Sequence, residues 1–280
     1  MSDMTTALRT LLAAASAILL ALPLPAAARQ DAAVPNNWVL THVREPNTSG
    51  VIATAPFDNG ITVVARCLNN MFDLALVGLP AVDGAQTTRQ LILITGEDSA
   101  ERTSSWAVAS DHTAAFSRLP AVIARRLAKG GPLQIIVPGR PGERRTRYVM
   151  SLTRSESALQ ETLTRCGRPL VDPRDDQLYG DGEGMPGGIV WVRGPRPELP
   201  GATVHGVSNG GSVSLSCAVT AGGRLEDCEI ESEYPPGSLL GLAVRRSLEP
   251  ARVGLTDAAI AEGQTLESRR IAFTVTFRIQ

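Results

Sequence analysis

Arg270-Ile271-Ala272-Phe273-Thr274-Val275-Thr276-Phe277-Arg278-Ile279 alternates apolar and polar residues in strict period two near the end of the 280-residue chain. A strand places Ile271, Phe273, Val275 and Phe277 on one face and Arg270, Ala272, Thr274, Thr276 and Arg278 on the other. Upstream, Ser212 to Ser232 reads as a hairpin about Gly222-Gly223, a register in which Cys217 faces Cys228 and Leu215 faces Ile230. A helix follows, with Leu240, Ala243, Val244, Ser247 and Leu248 on one face and Pro250 as its stop. Hairpin, helix and final strand make a small α+β unit, a helix packed on an antiparallel sheet.

The preceding region has a different rhythm. Short apolar stretches at Trp38–Val43, Val51–Ala55, Ile61–Cys67, Phe72–Val77, Gln90–Ile94, Ser105–Ala109, Leu133–Val137 and Tyr148–Leu152 alternate with turn signals. Strands at this spacing predict a β-rich sandwich or barrel-like domain over residues 34–171. Two helices interrupt it, one over Pro120–Ala128 and one from Ser157 to about Cys166, where Ser157 and Gln160 have capping-box spacing. Between Asp172 and Gly201 lie seven Gly and five Pro, a density that predicts a linker over 172–201 before a second domain over 202–280.

The amino terminus carries Arg9, an apolar run from Leu11 to Leu24 and the small residues Ala26-Ala27-Ala28. That order is expected of a cleaved secretory signal over residues 1–28, and the run is short for a membrane span of roughly 20 apolar residues. The mature protein is therefore expected to be exported and without a stable span. The four cysteines, Cys67, Cys166, Cys217 and Cys228, allow three pairings in an oxidising compartment. Hairpin geometry favours Cys217 with Cys228, which leaves Cys67 for Cys166; four free buried thiols are the alternative.

With 43% hydrophobic and 20% charged residues, the composition excludes a disordered, collagen-like or coiled-coil chain. A formal net charge of −1 gives no global attraction to nucleic acid or an anionic membrane. Only Lys129 among the 27 basic residues is lysine, a bias that names no substrate.

Gly211-Ser-Val-Ser-Leu-Ser-Cys217, Gly223-Arg-Leu-Glu-Asp-Cys228, Glu233-Tyr-Pro-Pro-Gly237, the helix from Leu240 and Ile271-Ala-Phe-Thr-Val-Thr-Phe277 together resemble the C-terminal domain of TonB-type energy transducers. The resemblance is to the cysteine-containing variety, in which a Trp-x-x-x-Pro segment, here Trp191 to Pro195, precedes the domain. It covers about residues 188–280. It implies a periplasmic module that contacts partner proteins, such as outer-membrane receptors, by adding a strand to a sheet edge. Arg270, Ala272, Thr274, Thr276 and Arg278 would then belong to the partner-binding edge strand. The N-terminal run contains no histidine, so the resemblance supports a partner-binding module rather than a proton-driven transducer.

Catalytic readings are weaker. Gly206-Val-Ser208-Asn-Gly210 satisfies a nucleophile-elbow pattern, with His205 adjacent and His42 or His112, beside Asp111, as remaining bases. The motif precedes a strand rather than opening a helix, which favours a Gly-rich entry turn. Gly180 to Gly184 reads as flexible chain rather than a phosphate or calcium loop, and Arg140, Arg144, Arg145 and Arg147 as a solvated hairpin. Asp172, Asp175 and Asp176 lack His or Cys companions for a transition metal. Trp38 and Trp106 read as core.

The expectation is a non-enzymatic periplasmic protein without catalytic, cofactor or metal site, contacting an envelope protein, for example an outer-membrane receptor or transporter, or a second copy of itself. A secreted hydrolase using Ser208 and a ligand-binding protein working through residues 34–171 are the alternatives.

Overall fold

A computed structural model describes residues 37–84, 86–96, 101–139, 142–178, 185–198 and 210–278. The expected signal over 1–28 lies outside these residues. Period-two burial builds the first strands: in β3 (Thr62–Leu68), Val63, Ala65 and Cys67 are buried while Val64, Arg66 and Leu68 are only partly so. It lies between β2 (Thr48–Pro56) and β4 (Met71–Val77), with β1 (Val39–Glu45) beyond β2. Then come β5 (Thr88–Thr95), β6 (Arg102–Val108), the two-residue β7 (Ala115–Phe116), helix α1 (Pro120–Ala128), β8 (Gly131–Val137), β9 (Thr146–Leu152) and α2 (Glu156–Arg165).

These strands form one antiparallel sheet in the order β1-β2-β3-β4-β7-β6-β5-β8-β9. The region is β-rich with two helices as expected, but the expectation of a sandwich or barrel-like arrangement is corrected to a single open sheet. Strand spacing counts strands but does not say which edges meet. Ala115 and Phe116 pair with β4 on one side and β6 on the other, joining two groups of strands edge to edge. The second layer is helical: Ile123 and Leu127 of α1 and Leu159 and Leu163 of α2 pack with Leu74, Leu91, Trp106 and Ile135. Each fully buried leucine contributes about 1.5–3 kcal/mol. Asn37 links the sheet's ends, its backbone N–H donating to Thr153 Oγ1 at 3.3 Å and its Nδ2 to Ser151 O at 3.2 Å. No ladder joins β1 to β9 among the described residues, so the sheet stays open.

α1 spans the residues expected, Pro120 entering at the first turn where its missing N–H costs nothing. α2 starts at Glu156, and the Ser157–Gln160 capping box is not formed: Ser155 precedes the helix and makes no side-chain cap. The Ser155 N–H instead donates to Ala128 O, so the end of α1 sets the entry to α2.

In the segment read as a linker, Pro173–Gln177 forms a 3-10 turn and Ile189–Arg193 forms β10. β11 (Gly211–Val219) and β12 (Leu225–Tyr234) make the hairpin, followed by α3 (Leu240–Ser247), β13 (Arg252–Leu255), α4 (Asp257–Ala261) and β14 (Arg269–Phe277). β10 pairs with β13, and a three-stranded sheet has the order β12-β11-β14. Leu215 faces Ile230, but bulges at Ser214/Leu215 and Ser216/Ala218 interrupt the simple hairpin register. A second core gathers Val213, Leu215 and Cys217 of β11, Leu240 and Val244 of α3, and Ile271 and Phe273 of β14. Residues 35–280 cluster as one compact unit holding both cores.

Candidate functional site

β14 is one edge of the three-stranded sheet, paired with β11 from Gly211↔Phe277 to Val219↔Arg269. Its apolar face is anchored: Phe273 meets Trp191 edge-on, with ring centroids 5.0 Å apart and planes at 85°. On the opposite face, Ser214 Oγ and Thr274 Oγ1 lie 2.8 Å apart across the ladder, and Thr276 is exposed. Arg278 lies just beyond the strand and is exposed.

Arg270 and Ala272 do not share that exposure. Arg270 is 3% exposed and donates to Asp227 Oδ2 at 2.5 Å, while Ala272 packs with Leu119 and Val122 of the nine-stranded half. Leu178, at the end of the 3-10 turn, packs on the same cluster. The expected partner-facing surface is therefore reduced to Thr274, Thr276 and Arg278. Strict alternation could not reveal that the rest of this face meets another part of the chain.

The opposite edge, β12, is occupied. Arg168, just after α2, donates to Ile230 O at 2.6 Å and pairs with Glu229 and Glu231, and Ser232 Oγ donates to Arg118 O at 2.8 Å. Arg174 also pairs with Glu229, and its guanidinium grips Asp172. Hydrogen bonds from the Arg174 side chain hold the Asp172 carboxyl at about 2, against its ordinary 3.8. Arg125 donates to both oxygens of Asp175 and to Pro169 O. Two of the three acidic residues weighed as metal ligands, Asp172 and Asp175, thus belong to an ion-pair network that joins α1, the 3-10 turn and β12. Neither composition nor spacing signalled this network, because its partners lie about 50 residues apart.

Cys67 is bonded to Cys166 and Cys217 to Cys228, with Cα separations of 5.6 and 4.1 Å. The first bond ties the end of α2 to β3. Arg168 therefore projects from a backbone fixed two residues away.

Between the nine-stranded sheet and β12 lies a cleft of about 420 Å³. Met71, Phe72, Phe116, Ile230, Tyr234 and Pro236 give it apolar walls. The Arg66 guanidinium lies 5.3 Å from the Phe116 ring centroid, and the Tyr234 ring is 6.0 Å from Phe116. Arg66 donates its Nε–H to both Asp73 oxygens, at 2.7 and 2.9 Å. Burial raises the Asp73 carboxyl above its ordinary value, and the adjacent Arg66 opposes that rise. No local sequence pattern signals this cleft, whose walls come from segments more than 150 residues apart.

Ser208 and His205 of the nucleophile-elbow reading lie outside the described residues. His42 Nε2 sits 2.6 Å from Glu161 Oε1 at an exposed site, and Asp111 accepts backbone N–H groups of Thr113 and Ala114. Those two backbone bonds lower the Asp111 carboxyl below its ordinary value. Arg145 and Arg147 both approach Glu101, while Arg140 lies outside the described residues. Among the described residues, no three His, Cys, Asp or Glu side chains gather as a metal site, and no helix is long and apolar enough to cross a membrane.

No protein-family model matches the chain, and no curated protein matches it. Among solved structures, the solution NMR structure of the Pseudomonas aeruginosa TonB CTD matches at 18% identity with a TM-score of 0.28, covering 35% of this chain and 93% of that one.

Proposed function

We propose that this chain is a non-enzymatic protein of the periplasm that binds a partner protein along the outer edge of β14. One observation carries the reading: of the two edges of the three-stranded sheet, β12 is engaged by Arg168 and Arg118, while no described strand pairs with the outer side of β14. An unpaired strand edge offers a row of backbone donors and acceptors to an incoming strand. The sequence resemblance of residues 188–280 supports the same use of the last strand. Two disulfides suit an oxidising compartment. The partner is an envelope protein, of which an outer-membrane receptor or transporter is one kind.

Successive N–H groups of a strand point alternately toward its neighbour and away from it. Val275→Pro and Thr276→Pro therefore include one change that removes an outward donor, with Val275→Ala and Thr276→Ser as side-chain controls. Mature protein is used to capture partners from an envelope extract. Edge binding predicts that the folded outward-proline variant loses the captured protein while its control retains it. Capture undiminished in both folded proline variants would show that the partner uses another surface. Sedimentation of the purified protein separates out self-pairing, which would appear as a dimer dissociated by the same proline. A hydrolytic activity lost in Ser208→Ala would replace this reading with the hydrolase.

A further inference from the structure

We infer that the cleft between the nine-stranded sheet and β12 is a binding site for a small monocarboxylate with an apolar body, independent of the β14 edge. Its volume of about 420 Å³ falls in the range of roughly 300–1,000 Å³ found for small-molecule sites, which favour junctions between packed units.

The class of ligand follows from which wall groups are already engaged. The three lining arginines, Arg66, Arg118 and Arg168, balance Asp73, Glu231 and Glu233 in formal charge. All three carboxylates have internal partners. Asp73 accepts from Arg66; Glu231 accepts from Ser216 Oγ at 2.6 Å and pairs with Arg168; Glu233 accepts from Ser238 Oγ at 2.6 Å and Leu240 N at 2.9 Å. Arg66, in contrast, spends only Nε, and its Nη1 and Nη2 make no hydrogen bond with the described residues. The side-chain polar groups of Asn70, Ser110, Ser212 and Tyr234 also line the cleft without a hydrogen bond to the described residues. The remaining capacity is rich in donors, which calls for a ligand rich in acceptors.

The Arg66 guanidinium lies over the Phe116 ring and offers paired N–H groups suited to bidentate recognition of an oxyanion. The lining carries no formal excess of positive charge to offset a second negative charge, which favours carboxylate over phosphate. Met71, Phe72, Phe116 and Pro236 supply the surface for the apolar body.

The test titrates the full mature protein by calorimetry with four probes that share a ten-carbon chain: decanoate, decyl phosphate, decanol and decyltrimethylammonium. Decanoate is expected to bind most tightly, with the neutral and cationic probes weaker by about tenfold or more, as loss of a charge-assisted pair predicts. Arg66→Gln should weaken decanoate by about tenfold while leaving decanol unchanged, and Arg66→Lys should fall between. Ala109→Trp, which places a large side chain in the cleft while leaving the Arg66 side chain unaltered in sequence, should abolish binding of every probe. Circular dichroism confirms that each variant is folded. Equal affinity for decanoate and decanol, tighter binding of decyl phosphate, undiminished decanoate binding by folded Arg66→Gln or Ala109→Trp, or no decanoate binding to the parent protein would each overturn the proposal. Partner capture through Val275 and Thr276 is scored separately, so failure of either proposal leaves the other standing.

Discussion

Arg125 on α1 clasps Asp175 through two parallel hydrogen bonds of 2.6 Å, Nε to Oδ2 and Nη2 to Oδ1. The arginine side chain is 6% exposed and the aspartate 20%, so the two ends of the pair are unequally sheltered from water.

That asymmetry makes Asp175→Ala the costlier deletion. It leaves a buried guanidinium with Pro169 O and the more distant Asp172, and should destabilise the protein by about 2–4 kcal/mol. Arg125→Met fills much of the same volume and leaves the more exposed carboxylate, and should cost less. Urea midpoints of the two variants check the order.

Asp172 gives the acid limb of stability a specific source. Its carboxyl is held at about 2 against an ordinary 3.8, so the unfolded chain binds its proton first as pH falls. The stabilisation is complete above about pH 4 and disappears as pH falls through about 2, an effect on the order of 2 kcal/mol. Asp172→Asn should be less stable than the parent at pH 6 and converge toward it near pH 2. Thermal melts across that interval test the sign.

The described residues are legible where one local pattern decides one element. The alternation of Ile271 to Phe277, the proline start of α1 and the hairpin around Gly222-Gly223 all appear as strand, helix and hairpin. β7 escaped because Ala115–Phe116 is too short to show a period, yet it joins the two groups of strands into one sheet. Gly and Pro density between Asp172 and Gly201 signalled chain reversals, but could not show that Asp172, Arg174 and Asp175 meet ion partners far along the chain. The cleft was hidden for the same reason, since Arg66 and Tyr234 become neighbours only through tertiary packing.

The two disulfides differ in the length of chain they close. Cys67–Cys166 spans a separation of 99 residues and Cys217–Cys228 one of 11. In the chain-entropy model, the paired serine variant at 67 and 166 loses about 4–5 kcal/mol and that at 217 and 228 about 3 kcal/mol or less. Denaturant titrations of both double variants measure the difference.

Leu239 caps the start of α3 with φ at +63°, and its side chain is half exposed. A left-handed conformation costs a leucine roughly 1–2 kcal/mol, part of which glycine returns as greater freedom in the unfolded chain. Leu239→Gly should therefore raise stability by up to about 1 kcal/mol, read as a higher melting temperature.

Gly50 should tolerate no side chain. A Cβ there would stand 1.8 Å from the carbonyl oxygen of Cys67, a contact with backbone that no rotamer relieves. Gly50→Ala should cost about 3 kcal/mol or more, since it must separate β2 from β3. Loss of amide protection in both strands would accompany the fall in stability.

The order of the cysteines along the chain bears on how the native bonds arise. The first cysteine is joined to the second and the third to the fourth. For a chain delivered from its amino terminus into an oxidising space, an oxidant that links thiols in their order of emergence produces this connectivity at once. Cys67 and Cys166 can close before Cys217 arrives, and the final pair then has no competitor. The other two connectivities would require waiting thiols or a later reshuffling by an isomerase. Under such delivery, this connectivity calls for an electron acceptor but no proofreading step.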